Sequence, residues 1–228
     1  MELFAFDFDK TITKSDTILP ICRFIAEHYN SILTFRIIQI NFILFRLRLI
    51  SSKKFKEKIV LHLLKGKSID DIENIVSEFI TTYFGELLNQ KIIDLINKEK
   101  NAGNQIIIIT SNLELFIYPV KKILSIEEVF GTKIKSSNSI IGEGIEGENC
   151  SGIRKAEIVN ELKTKYQFEK VIAYGDSRGD FEMLKISDES YLANYIYSSL
   201  LNKLRCKLNY FNGKFFTKGI EISFRKFK

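Results

Sequence analysis

The sequence predicts an α/β fold, a parallel sheet core interrupted near its start by a large helical insert. Short apolar runs, "ELFAF" at 2–6, "QIIIIT" at 105–110 and "KVIAY" at 170–174, are separated by stretches of helical periodicity. These runs lack an apolar–polar alternation, as expected for strands buried on both faces of a parallel sheet. The stretch between the first two, about 15–88, is far longer than one crossover connection needs.

Taken in order, residues 2–6 read as a short buried strand. After Pro20 a long helical stretch runs without Gly or Pro to Gly66. Residues 69–99 read as continuing helix, with Ile72, Ile75, Val76, Phe79 and Ile80 at helical spacing. The runs at 105–110 and 170–174 are core strands, and "SYLAN" at 190–194 is a further one. No internal repeat or low-complexity linker divides the chain. The expected organisation is a core of residues 1–14 and 89–228 and a helical cap of residues 15–88.

Composition sets limits on function. In 228 residues, 45% apolar and 27% charged content is that of a globular protein of one domain, or of a core with an insert. No basic, cleavable apolar leader is evident, which argues against secretion and for a cytoplasmic setting. Cys22, Cys150 and Cys206 show no motif spacing and read as reduced thiols, and His28 and His62 are too few for a histidine zinc site. The net charge of +6 comes from the tail, where residues 202–228 hold eight Lys or Arg against the single acid Glu221. That tail reads as an edge hairpin whose lysines block strand-to-strand association, with anion binding as the alternative. Its aromatics Tyr210, Phe211, Phe215 and Phe216 accompany no RNA- or DNA-binding motif, so no nucleic-acid partner is expected.

The chemistry lies where the strands end. Ligands of open parallel sheets sit at the carboxyl ends of the strands. The first run is followed by Asp7, Asp9 and Thr11, the second by Thr110, Ser111 and Asn112, and the third by "GDSRGD" with Asp176 and Asp180. "NCSGIRK" at 149–155 adds Lys155 at the start of a helix. Taken singly, Lys155 is a solvated helix residue, and Ser111 and Asp180 are helix caps. Taken together, a carboxylate cluster, a hydroxyl and a lysine suit magnesium-assisted phosphoryl transfer.

These four pieces, in this order, resemble the haloacid dehalogenase superfamily. The insert between the first two motifs resembles the phosphoserine-phosphatase-type subclass with a helical C1 cap, over about residues 1–194. The resemblance implies a Rossmann-like core and a Mg²⁺-dependent phosphomonoesterase. Asp7 would be the nucleophile and a metal ligand. Asp9 would be the general acid and base, ligating the metal through its backbone carbonyl. Thr11 would support the phosphate loop, and Ser111 and Lys155 would hold the phosphoryl oxygens. Asp176 would ligate Mg²⁺, Asp180 would support Asp176 and Lys155, and Asp16 matches an acidic cap residue near the substrate. Lys10 stands where the family usually has Gly. Val60 aligns with the arginine that grips the carboxylate of phosphoserine, so the substrate expected is another small organic phosphate or a lipid headgroup phosphate. The rival classes are a non-catalytic phosphate-binding or regulatory protein and a phosphotransferase.

Residues 31–50 form an odd cap helix. Phe35, Ile38, Phe42, Phe45 and Leu49 make one apolar seam, and Ile37, Ile40, Leu44 and Leu47 make a second on the other side. The segment between Arg36 and Arg46 is about 14 Å of helix against roughly 30 Å of hydrocarbon, too short to span a bilayer. From His28 to Lys56 there is no acidic residue, so peripheral membrane contact stands beside burial in a larger cap or a dimer. Bacterial phosphatidylglycerophosphatases of the same subclass resemble the chain at this helix.

Overall fold

Leu3–Phe6 (β1) runs through the middle of a six-stranded sheet. The computed structural model describes residues 1–197, 200–213 and 220–227. After β1 come the helices Ile18–His28 (α1), Ile32–Arg46 (α2), Ser52–Ile59 (α3), Ile69–Leu87 (α4) and Gln90–Asn101 (α5). Gln105–Leu113 (β2), Glu114–Ile123 (α6) and Glu128–Thr132 (β3) follow, then a hairpin of Ile134–Ser137 (β4) and Ile140–Ile145 (β5). Ile153–Tyr166 (α7), Val171–Gly175 (β6), Phe181–Ile186 (α8), Glu189–Tyr197 (β7), Leu200–Phe211 (α9) and Ile220–Lys226 (β8) complete it.

The sheet order is β3-β2-β1-β6-β7-β8, parallel throughout except for the β7–β8 edge. Phe6 pairs with Ile108 and Tyr174, and Ala5 with Ile107 and Ala173. Alternate residues therefore face opposite layers. Phe4, Phe6, Ile106 and Ile108 join the cluster shared with the helical insert, while Leu3, Ala5, Ile107 and Ile109 pack with Ile158, Val159 and Met183 from α7 and α8. Both faces are dry, which is why these strands read as unbroken apolar runs. Each fully buried Ile or Phe contributes about 1.5–3 kcal/mol. Phe6, Tyr174 and Tyr191 stack across three strands with centroids 4.9 and 4.8 Å apart.

Three expectations need correction. The helix expected over 69–99 breaks at Leu88 and Asn89, both extended, because Leu88 pairs antiparallel with Thr13 where the chain re-enters the core. The cap helix expected over 31–50 ends at Arg46, with a further helix from Ser52, and the turns on either side of it put Asn30 and Arg48 at φ 51° and 61°. Periodicity alone does not reveal such turns when no Gly or Pro marks them. The tail is not a two-stranded hairpin: its first half is α9, whose leucines 200, 204 and 208 recur every four residues, and only β8 is an edge strand. Residues 214–219, with Phe215 and Phe216, lie outside the described residues.

From β1 the sheet grows both ways, to β2 on one side and to β6 on the other. That switch leaves a crevice at the carboxyl ends of β1 and β6. Asp7 follows β1 directly, its amide donating to the Tyr174 carbonyl at 2.8 Å, and Asp176 follows β6.

Candidate active site

A cavity of about 330 Å³ opens between these strand ends and the helices over them. Its wall at the strand ends, the core wall, holds Asp7, Asp9, Lys10, Ser111, Lys155, Asp176 and Asp180; the facing wall, the cap wall, holds Asp16, Phe42, Phe45, Arg46, Phe55 and Lys56 from the stretch between β1 and β2, with Tyr210 of α9 beside them.

The core wall is built around Lys155. Its Nζ donates to Asp7 Oδ1 and to Asp180 Oδ1, both at 2.6 Å, with all three side chains buried. Against burial, the carboxylates of Asp180 and Asp7 hold the Lys155 ammonium above its ordinary range. The second Asp180 oxygen accepts from the amides of Asp176 (3.1 Å) and Ser177 (2.9 Å) and from Ser177 Oγ (2.9 Å). Burial raises a carboxyl, yet Lys155 and these donors hold Asp180 below the usual range. Gly175 makes this possible, because a Cβ there would lie 2.5 Å from Asp180 Cβ.

Asp7 and Asp176 are the carboxyls left over. Oxygens of Asp7, Asp176 and Asp180 lie within 4.8 Å of one another, and the Asp176 carboxylate accepts no hydrogen bond among the described residues. Burial pushes Asp7 well above the usual range despite Lys155, and Asp180 and Asp176 push it further. Burial likewise lifts Asp176 to about 7, against the pull of Lys10. Both shifts come first from burial, with neighbouring carboxylates adding to them. An all-oxygen donor set of this kind fits a hard divalent cation. Because both oxygens of Asp180 are engaged, Asp7 and Asp176 are the side chains available to it.

Asp9 faces the cap. Its Oδ1 accepts from the Thr17 amide and hydroxyl, each at 2.7 Å, and its Oδ2 from Asn112 Nδ2 at 2.9 Å. Burial first, then the charge of Asp16, raises it to about 6, while Thr17 and Asn112 pull the other way. The loop that carries it is tight: Lys10 sits at φ 61°, a left-handed conformation that glycine adopts at lower cost. Lys10 Nζ reaches Asp16 Oδ2 at 2.5 Å across the cavity.

The cavity gathers Asp7, Asp9, Asp16, Ser111, Lys155, Asp176 and Asp180, but not Thr11. That residue is fully buried behind the loop, with its hydroxyl unpartnered among the described residues. Ser111 is on the wall. Two sets of residues were missed. Asn112 and Thr17 hold Asp9, and the position of Asn112 beside Ser111 at the strand end was the available signal. Lys56 is the second case. Val60, the position aligned with a carboxylate-binding arginine, is buried in the core, whereas Lys56, one helical turn earlier, lines the cavity. Lys56 Nζ donates to Ser52 Oγ at 3.0 Å and to Asn149 Oδ1, and it forms no ion pair among the described residues. Burial, helped by Lys155, lowers its pKa to about 8 even though Cys150 and Asp9 favour the charge.

The fold is a mainly parallel α/β sheet of the Rossmann-like type. The chain belongs to the haloacid dehalogenase-like hydrolase family, whose sequence model matches residues 4–185. It is 30% identical to Protein CicA of Caulobacter vibrioides over 193 residues, 82% of this chain and 83% of that protein. It is 27% identical to phosphoserine phosphatase of Archaeoglobus fulgidus over 135 residues, 58% of this chain and 37% of that one. Among solved structures, a protein with unknown function from Bordetella pertussis Tohama I superposes with a TM-score of 0.72 at 16% identity, covering 83% of this chain and 88% of that one. A phospho-aspartyl intermediate analogue of phosphoserine phosphatase superposes with a TM-score of 0.59 at 19% identity, covering 82% and 84%.

Proposed function

We propose that the protein is a Mg²⁺-dependent phosphomonoesterase working through an aspartyl-phosphate on Asp7. The observation that carries this reading is the pair of cation-seeking carboxyls, Asp7 and Asp176, beside the Asp7–Lys155–Asp180 network. Mg²⁺ held by Asp7, Asp176 and the Asp9 backbone carbonyl would offset the negative charge of carboxylates and phosphate. Ser111 and Lys155 hold the phosphoryl oxygens. An Asp7 oxygen attacks phosphorus as the bond to the leaving alcohol breaks, and Asp9 gives that alcohol its proton. Asp9 then takes a proton from water, whose oxygen attacks phosphorus as the bond between phosphorus and Asp7 breaks, which releases inorganic phosphate and restores the Asp7 carboxylate. Asp9 suits both tasks, since its carboxyl titrates near neutrality and is aimed by Thr17 and Asn112.

Residues 15–88 act as the cap over a core of 1–14 and 89–228, a division supported by the Thr13–Leu88 bridge at its base. The cap wall favours a leaving group with an apolar body against Phe42, Phe45, Phe55 and Tyr210 and a second anionic group for Lys56 and Arg46. Small phosphorylated acids and lipid headgroup phosphates share that chemistry. The test is phosphate release from a panel of such compounds, with phosphoethanolamine as the cationic contrast, in Mg²⁺ and in chelator. Activity in Mg²⁺ alone, falling by at least roughly 10³-fold in Asp7→Asn with the fold intact, is expected. Full activity in that variant would remove Asp7 as nucleophile.

A further inference from the structure

α2 has two apolar seams and only one of them is covered. Phe35, Ile38 and Phe42 are buried in the body of the protein, whereas Ile37, Ile40, Leu33 and Leu47 are exposed, the last two at 77% and 63%. α9 adds Leu200, Leu201, Leu204 and Leu208, each more than half exposed. The two helices are neighbours: Gln39 Nε2 donates to the Phe211 carbonyl at 2.7 Å, and the Phe42 and Tyr210 rings meet edge-on with centroids 5.4 Å apart. Single exposed leucines are ordinary on a protein surface, but rows of them on adjoining helices are not.

The charges around these rows identify what covers them. Residues 28–56 contain no acid, and neither does α9. Arg36, Arg46 and Arg48 stand exposed beside the α2 row, and Lys203 and Lys207 beside the α9 row. A second copy of this chain would set basic rims against one another. An anionic bilayer offers the complement, apolar depth beneath negative headgroups. Among the described residues no helix is long and apolar enough to cross a membrane, so the contact lies along the surface. We infer that the exposed faces of α2 and α9 dock the protein on an anionic lipid surface. Phe42 and Phe45 on α2 and Tyr210 on α9 also line the cavity, so the helices that meet lipid are helices that wall the site. The docking stands on these faces alone; only its consequence for substrate choice rests on the phosphatase reading.

The experiment is flotation of the full chain, without substrate, on phosphatidylcholine vesicles and on vesicles with about one third phosphatidylglycerol. Binding to the anionic vesicles alone is expected, weakened by added salt. The double variant Leu33→Glu, Ile40→Glu should lose at least roughly tenfold of that binding. An unchanged melting curve shows that the variant is folded, and unchanged hydrolysis of p-nitrophenyl phosphate shows that the chemistry is separate from docking. Four results overturn the inference: no binding at low salt, equal binding to neutral vesicles, equal binding by the variant, or a wild-type dimer that the variant dissociates.

Discussion

Lys155 and Lys56 are both buried, both face the same cavity, and their surroundings differ in one respect. Lys155, on the core wall, lies between two carboxylates, which hold its charge firmly in place. Lys56, on the cap wall, has a hydroxyl and an amide oxygen for company and no carboxylate among the described residues, and its charge is held weakly. A buried pair broken by removing one member leaves an uncompensated charge, whereas a buried cation lacking a counter-ion is already a cost to the fold. On the core wall the buried ammonium already has its counter-charges. The cap wall is completed by what it binds.

The sharpest way to break that contrast is to remove each ammonium in turn. Lys155→Met should destabilise the protein by roughly 3–5 kcal/mol in urea titration, because Asp7 and Asp180 remain buried together. Lys56→Met should change stability by no more than about 1 kcal/mol, since only neutral hydrogen bonds are lost. Equal losses would show that Lys56 has a counter-charge after all.

The second measurement uses catalysis. Lys56→Met should raise KM for doubly anionic substrates by on the order of tenfold with kcat nearly unchanged. In the wild type, KM should rise as pH passes about 8, where Lys56 loses its proton. The sign on stability is opposite. The folded-state pKa lies below the unfolded value of 10.5, so folding gains from this group as pH climbs from about 8 to 10.5. A KM that stays flat across pH 8 in the wild type would detach Lys56 from substrate.

Smaller effects test the positioning of Asp9. Asn112→Ala removes the one donor to Asp9 Oδ2 among the described residues and should lower kcat on the order of tenfold without moving KM, with Asn112→Ser recovering part of it. The smallest change is expected at Lys10. Gly there relieves the left-handed strain by about 1 kcal/mol and gives up an ion pair with Asp16 that is about as strong, so the melting temperature should move little.

The same contrast explains what was legible in the sequence. Asp7, Ser111, Asp176 and Asp180 sit where apolar runs stop, so strand ends locate them without knowledge of packing. Lys155 follows from its place at a helix start. The cap wall has no such anchor. Whether Val60 or Lys56 faces the cavity depends on the phase of a helix that passes into a wider turn at Val60–Leu64, and nothing in the local pattern fixes that phase. The breaks at Asn30, Arg48 and Leu88 were hidden for a related reason: non-glycine residues adopt the turn conformations there, and a long-range pairing with Thr13 imposes the last.

That pairing has a consequence for how such a molecule can change over generations. The chain leaves the loop after β1 at Thr13 and returns at Leu88 ahead of α5, and the two crossings are hydrogen-bonded neighbours, the Lys14 amide donating to the Leu87 carbonyl and the Asn89 amide to the Ile12 carbonyl, each at 2.8 Å. A doorway this narrow places no demand on the length of what passes through it, and lengthening a closed segment costs little in entropy. Helices could be added, shortened or exchanged beyond the doorway while β1 and β2 keep their register. The helices beyond the doorway can therefore be rewritten by lineages that leave the carboxylates at the strand ends untouched.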